Sequence, residues 1–290
     1  MRNFFKLGAM LSLLVALVLL VVAGCSQKPA GTEVSAPPTD SSTTIRVLVP
    51  CGQMGPFYEI KALFEQANPE IKIDETTENI AVLTRKILDG MEHPEVFMSM
   101  GDREVDLLEA KGRVIPGTRT AYARNSLALI TSTANPAGVK TIKDAARPAV
   151  KAFAIVDPEN SSAGFHARQA MEKLGVWSSV SQKTRIPDQP EMVAQLVAKG
   201  DAQAGIAYWP CMVETHDPKA TGPTPRKKVT VAQVIPQDLY TPFSCTAAVI
   251  QGAGNPELGK KFIAFLQSPE AQQIFAKWNF VDPEKYSKAN

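Results

Sequence analysis

Histidine, charge imbalance and catalytic signatures are what this chain has least of. In 290 residues there are three histidines, His93, His166 and His216, and no two of them stand at the spacing by which one helix face grips zinc. There is no Gly-x-Ser-x-Gly elbow and no Walker phosphate loop. The common hydrolase and nucleotide-cleaving mechanisms therefore have no foothold, and the chain is expected to carry out no reaction of its own. Lysine and arginine total 31 against 29 acidic residues, a net charge of +2. Binding to a phosphate backbone needs a basic surplus, which is missing, so nucleic acid is excluded as a partner. The one short basic run, Pro225-Arg226-Lys227-Lys228, reads as a solvated loop.

What the chain does have is an ordinary globular composition, 44% hydrophobic and 21% charged, preceded by an address. Arg2 and Lys6 stand before an apolar run from residue 7 to 24 that ends in small residues, the layout of a secretory signal peptide. The run stops at Cys25, and "VAGC" resembles the lipobox of bacterial lipoproteins, which implies cleavage before Cys25 and lipidation of its sulfur. Residues 26–44 are rich in Pro, Ser and Thr and nearly devoid of large apolar side chains, so they cannot bury enough surface to fold. The expected organisation is a signal peptide over 1–24, a lipidated cysteine and flexible tether over 25–44, and a folded part over 45–290. That part sits in the periplasm or at the cell surface, anchored to the membrane, where disulfides are permitted.

Strand-like and helix-like patterns alternate through the folded part. Residues 45–49, 71–75, 96–100, 152–156, 204–208 and 245–250 read as strands, and a new structural unit begins near "NSLALIT" at 125–131. Phe57, Ile60, Leu63 and Phe64 share a helical face, with Pro56 suited to the first turn. Residues 103–112 form a helix closed by Gly112. Ala163, Ala167, Ala170, Met171 and Leu174 mark a further helix before Gly175, and Leu258, Phe262, Phe265 and Leu266 another near the end. Strands alternating with helices imply mostly parallel sheets, whose binding crevices lie beyond the carboxyl ends of the strands.

The order of motifs is that of a known family. "VFMSMGD" (96–102), "RNSLALI" (124–130), "VDPENSSAGFHARQAMEKLGVW" (156–177), "MVAQLVAKGDAQAGIAY" (192–208) and "LGKKFIAFLQSPEAQQIFAKWNF" (258–280) together resemble the periplasmic molybdate-binding proteins of ABC importers. The resemblance implies a two-lobed α/β periplasmic binding protein of type II, each lobe a mostly parallel sheet flanked by helices, joined by two hinge crossings. Lobe 1 is expected over 45–126 plus 236–290 and lobe 2 over 127–235. It further implies a monomer that captures molybdate or tungstate and delivers it to a membrane permease with its ATPase. The same fold can also serve as a ligand-sensing receptor.

The family's oxyanion is held by two serine hydroxyls, two amides and a tyrosine. Here the first serine falls at Cys51 or Gly52 and the second at Asn79 or Ile80, with Thr76 and Thr77 as near substitutes. The first amide falls at Ala163 and the tyrosine at Tyr208. The second amide falls near Pro190, which has no N–H, so Gln189 or Glu191 is the substitute. Sulfur gathers where hydroxyls are lost. Cys51 lies in the first ligand turn, Cys211 follows Tyr208 by three residues, and Cys245 lies where the family has another tyrosine. Met54, Met100 and Met212 lie in the same segments. Two readings stay open: Cys51, Cys211 and Cys245 as thiolate ligands of a soft ion such as Cu, Zn, Hg or arsenite, or a disulfide between Cys211 and Cys245 with one thiol left over. His166 reads as a solvated or capping residue, Trp209 as a crevice residue, and Asp102 and Glu214 as helix-terminal or surface charges.

Overall fold

The computed structural model describes residues 43–187, 192–214 and 222–281; the leader, Cys25, the tether up to residue 42 and the expected amide near Pro190 lie outside them, and Thr43 and Thr44, expected in the tether, already belong to the first strand. Two five-stranded sheets form the frame. The first has the order β2 (Ile71–Glu78), β1 (Thr43–Pro50), β3 (Val96–Ser99), β12 (Ser244–Ala248), β4 (Thr120–Arg124). The second has the order β11 (Val229–Val234), β5 (Leu127–Ser132), β8 (Ala204–Tyr208), β6 (Phe153–Ala154), β7 (Thr184–Arg185). A two-stranded ladder of β9 (Val213–Glu214) and β10 (Thr224–Pro225) stands beside the second sheet's strands in sequence.

β1 shows how the sequence makes the first lobe. Ile45, Val47, Leu48 and Val49 are all fully buried, as expected of a strand covered on both faces. Ile45, Val47 and Val49 join Phe57, Ile60 and Phe64 of α1 (Met54–Ala67) and Phe262 of α7 (Pro256–Leu266) in one core. Leu48 points the other way, into a second core with α2 (Ile80–Leu88) and α3 (Arg103–Ala110). The Phe64 ring meets Phe262 edge-on at 5.0 Å. A further helix, α8 (Pro269–Lys277), is started by Ser268, whose hydroxyl accepts from Ala271 N–H at 3.2 Å. It brings Trp278 against Gly55 at the start of α1, where a Cβ would stand 2.4 Å from the indole ring. In the second lobe, α4 (Ser162–Lys173) and α6 (Met192–Lys199) pack on the fully buried Leu127–Ile130 stretch of β5, and α5 (Trp177–Ser181) packs on α4.

The expectation of mostly parallel sheets needs correction, because both sheets are mixed. β1, β2 and β3 run parallel, as do β6, β7 and β8, but β12 is antiparallel to β3 and β4, and β5 is antiparallel to β8 and β11. The antiparallel strands are those that cross between sheets. β4 passes to β5 through Asn125 and Ser126 alone, and β11 returns to β12 through residues 235–243. A crossing without a helix brings the chain into the new sheet without the βαβ return that aligns neighbours in parallel.

The second crossing also corrects the reading of His166. The imidazole is buried on α4, stacked on Phe243 with ring planes 2° apart and centroids 4.3 Å apart. Its Nδ1 lies 3.0 Å from Gln169 Oε1. Burial lowers its pKa below the ordinary 6.5; the Gln169 contact opposes this, Arg103 adds to it and Asp102 opposes it. Between its folded pKa and the ordinary value, the unfolded chain binds more protons than the folded one, so stability rises with pH and is complete above about 6.5. Urea midpoints measured from about pH 5 to pH 7.5 are expected to climb, and His166→Gln is expected to flatten that climb. Gly55→Ala overpacks Trp278 and is expected to lower unfolding free energy by about 1–3 kcal/mol, read from the same titrations.

Candidate functional site

The carboxyl ends of β1, β3, β6 and β8 converge on one cavity of about 40 Å³. A single water needs roughly 10–15 Å³ on this measure, so the space suits a small multi-atom group. One wall comes from the first lobe: Pro50, Cys51, Gly52, Ile80 and Met100. The other comes from the second lobe, with Val156, Ala163, Tyr208, Cys211, Met212 and Arg226 foremost. After Pro50 ends β1, residues 51–53 make a single 3-10 turn that leads into α1. Gly52 is required there by contact: a Cβ would lie 2.6 Å from Met100 Sδ and 2.8 Å from Cys211 Sγ. The turn of one lobe thus rests directly on the segment after β8 of the other.

Tyr208 ends β8 and is 4% exposed. Its hydroxyl is buried with no hydrogen-bond partner among the described residues, and the Ala163 amide faces it without reaching hydrogen-bond geometry. Burial, reinforced by the negative charge of Glu104, pushes the phenol pKa well above 10, so the group stays protonated and can donate. An unmet buried hydroxyl costs about 1–3 kcal/mol, which a bound acceptor would relieve. Ala163 is the second residue of α4, whose N-terminal amides carry partial positive charge.

Ala163, Tyr208, Cys51, Gly52 and Cys211 are brought together; the other two expected residues are not. Asn79 caps α2, its Oδ1 accepting from Ala81 N–H at 2.8 Å. It faces a neighbouring groove with Asp157 and Asn160, while the next residue, Ile80, takes the place in the cavity wall. Cys245 is fully buried behind the wall, its thiol 3.9 Å from Met100 O. Burial pushes that thiol up, with Gln53 opposing and Cys211 and Asp102 adding, so it stays neutral and apolar in behaviour. The three-thiolate metal site of Cys51, Cys211 and Cys245 is accordingly not formed: among the described residues no group of three or more His, Cys, Asp or Glu is placed to hold a metal ion. No disulfide joins Cys211 to Cys245 either. Trp209 packs against the core rather than lining the cavity, and Asp102 accepts from the Ser244 amide and pairs with Arg119.

Two residues that the sequence did not single out shape the site. Arg226 is half-buried in the cavity wall, not solvated, its Nε donating to Cys211 O at 2.8 Å. Nothing local distinguishes it from Lys227 and Lys228, both of which are exposed. The second is Glu104 on α3, 6% exposed. Its Oε1 accepts the Ser162 amide at 3.1 Å, and its Oε2 accepts the hydroxyls of Ser162 at 2.7 Å and Ser99 at 3.1 Å. A first-lobe carboxylate therefore sits on the first turn of a second-lobe helix, where helix dipole and hydroxyl both favour it. Gly101 allows the approach, since a Cβ there would meet Ser162 Oγ at 2.2 Å. Glu104→Ala is expected to lower unfolding free energy by about 1.5–3 kcal/mol and to enlarge the radius of gyration in solution scattering. No change in either would show that this contact does not hold the lobes together.

Residues 45–281 match the family model for the bacterial extracellular solute-binding protein. YvgL of Bacillus subtilis, described provisionally as an ABC transporter substrate-binding lipoprotein, is 22% identical over 261 residues, 90% of this chain and 93% of its own. The molybdate-binding protein ModA of Escherichia coli is 26% identical over 204 residues, 69% of this chain and 74% of its own. Among solved structures, the periplasmic molybdate-binding protein of Azotobacter vinelandii superposes with a TM-score of 0.66 at 17% identity, covering 82% of this chain and 99% of that one. The two-lobed fold is the one it shares. The matched region takes in both sheets and the cavity between them, and on that match the chain belongs to the bacterial extracellular solute-binding protein family.

Proposed function

We propose that this protein is the solute-capturing subunit of an ABC importer and that it holds a small tetrahedral oxyanion, with molybdate as the reference ligand, between its lobes. The observation that carries this reading is the Tyr208 hydroxyl, buried without an acceptor beside the Ala163 amide, in a cavity formed jointly by the two lobes. Neutral donors of this kind replace the hydration of an oxyanion once water is excluded. The names of the E. coli and A. vinelandii relatives supply the ligand, and that of YvgL supports a lipid tether at Cys25. On this reading the protein works outside the cytoplasm, and its partners are a permease, the ATPase behind it and the membrane that carries the lipid. Its work is conformational: ligand held between the lobes favours the closed form, and the closed form is what a permease distinguishes from the empty one.

Thermal shift and calorimetry with molybdate, tungstate, sulfate and phosphate test the assignment. A rise of several degrees with one of these ions is expected, since ligand at a hundred times its Kd stabilises by about 2.7 kcal/mol. Tyr208→Phe is expected to weaken that binding roughly 2- to 10-fold, the worth of one neutral hydrogen bond. Failure of all four ions to shift the transition would remove the oxyanion from the proposal.

A further inference from the structure

The donors that the family resemblance expects on the first-lobe wall are missing. Cys51 stands near one serine position, and Ile80 fills the wall where Asn79 would have had to point inward. Ile80, Met100 and Val156 offer an oxyanion no N–H or O–H from their side chains. The second-lobe wall carries something in exchange. Among the described residues lining the cavity, Arg226 alone bears a charge. Its backbone N–H donates to Met212 O at 3.3 Å and its Nε to Cys211 O at 2.8 Å. These two bonds fix the guanidinium to the chain segment whose side chains, Cys211 and Met212, form the same wall. No acceptor among the described residues takes the remaining N–H groups. A planar group with spare donors, pinned at one nitrogen in the wall of the same cavity that holds an unsatisfied tyrosine hydroxyl, is a ready partner for an anion.

Resting on the oxyanion reading above, we propose that Arg226 is the charge-recognising residue of the cavity and selects tetrahedral dianions over monoanions of the same size. A site built of neutral hydroxyls and amides counts donors and measures shape, and a guanidinium in a small, water-poor space adds a strong dependence on ligand charge. Two donors lost from one lobe are thereby replaced by one fixed charge from the other.

Molybdate and perrhenate, tetrahedral ions of similar size with charges of −2 and −1, provide the test, titrated calorimetrically into the wild-type protein and the Arg226→Gln, Arg226→Lys and Lys227→Gln variants. Arg226→Gln is expected to weaken molybdate about 10- to 100-fold and perrhenate only about 2- to 10-fold, compressing the ratio between them. It is also expected to flatten the salt dependence of molybdate binding. Arg226→Lys is expected to restore part of the discrimination, because it keeps the charge and loses the fork. Lys227→Gln removes an equal charge from an exposed neighbour and is expected to change neither affinity by more than about 2-fold. An unaltered molybdate-to-perrhenate ratio in Arg226→Gln, with both ions still bound, overturns this inference and leaves the oxyanion reading standing. If the wild-type protein binds neither ion nor any other oxyanion, the reading itself falls and takes the inference with it.

Discussion

A single buried carboxylate ties the two lobes together across their boundary. Glu104 lies at the start of one helix, yet its oxygens are spent on the first turn of another, across the lobe boundary, and on Ser99 at the end of β3. Burying a charge costs several kcal/mol unless it is matched, and here the amide, two hydroxyls and a helix terminus match it together. The contact works only if Gly101 and Ser162 are nearly touching, so it fixes a distance as well as an affinity. Once that distance is set, Gly52 is brought against Cys211, and Tyr208 faces the end of β1 across a gap of small-molecule size.

Sulfur occupies this region for two different physical reasons. Cys51, Cys211, Met100 and Met212 form cavity wall, where polarizable side chains fill irregular space beside a ligand. Cys245 is behind the wall, on β12, and serves as a small apolar plug among Met100, Gln53 and Tyr122. Sequence spacing makes the three cysteines look equivalent. The fold separates them, because Cys245 lies within β12, between β3 and β4 and fully buried, whereas Cys51 and Cys211 sit in the 3-10 turns that follow β1 and β8.

How far the molecule was legible from its sequence follows the range of the forces involved. β1, β2, α4 and β8 show in the text because their apolar residues follow strand or helix patterns, while Ala163 and Tyr208 are implied as site residues only by the family resemblance. The mixed character of the sheets did not show, since it depends on two crossings joining strands that are distant in the chain. Glu104 and Asp102 are both acids at the start of one helix, and only the fold reveals that Glu104 meets Ser162, 58 residues away. Arg226 looked like its neighbours for the same reason. His166 read as polar and solvated, whereas the ring of Phe243, on the returning crossing, covers it.

The first crossing consists of two residues, and one of them has a second attachment. Asn125 gives its side-chain amide to the main-chain oxygen of Met100 at 2.7 Å, and the thioether of Met100 is part of the cavity wall. Crossing and cavity wall are therefore joined through a single bonded residue, with no relay of intervening side chains. On the solute-capture reading, a ligand that fills the cavity touches the crossing through one residue.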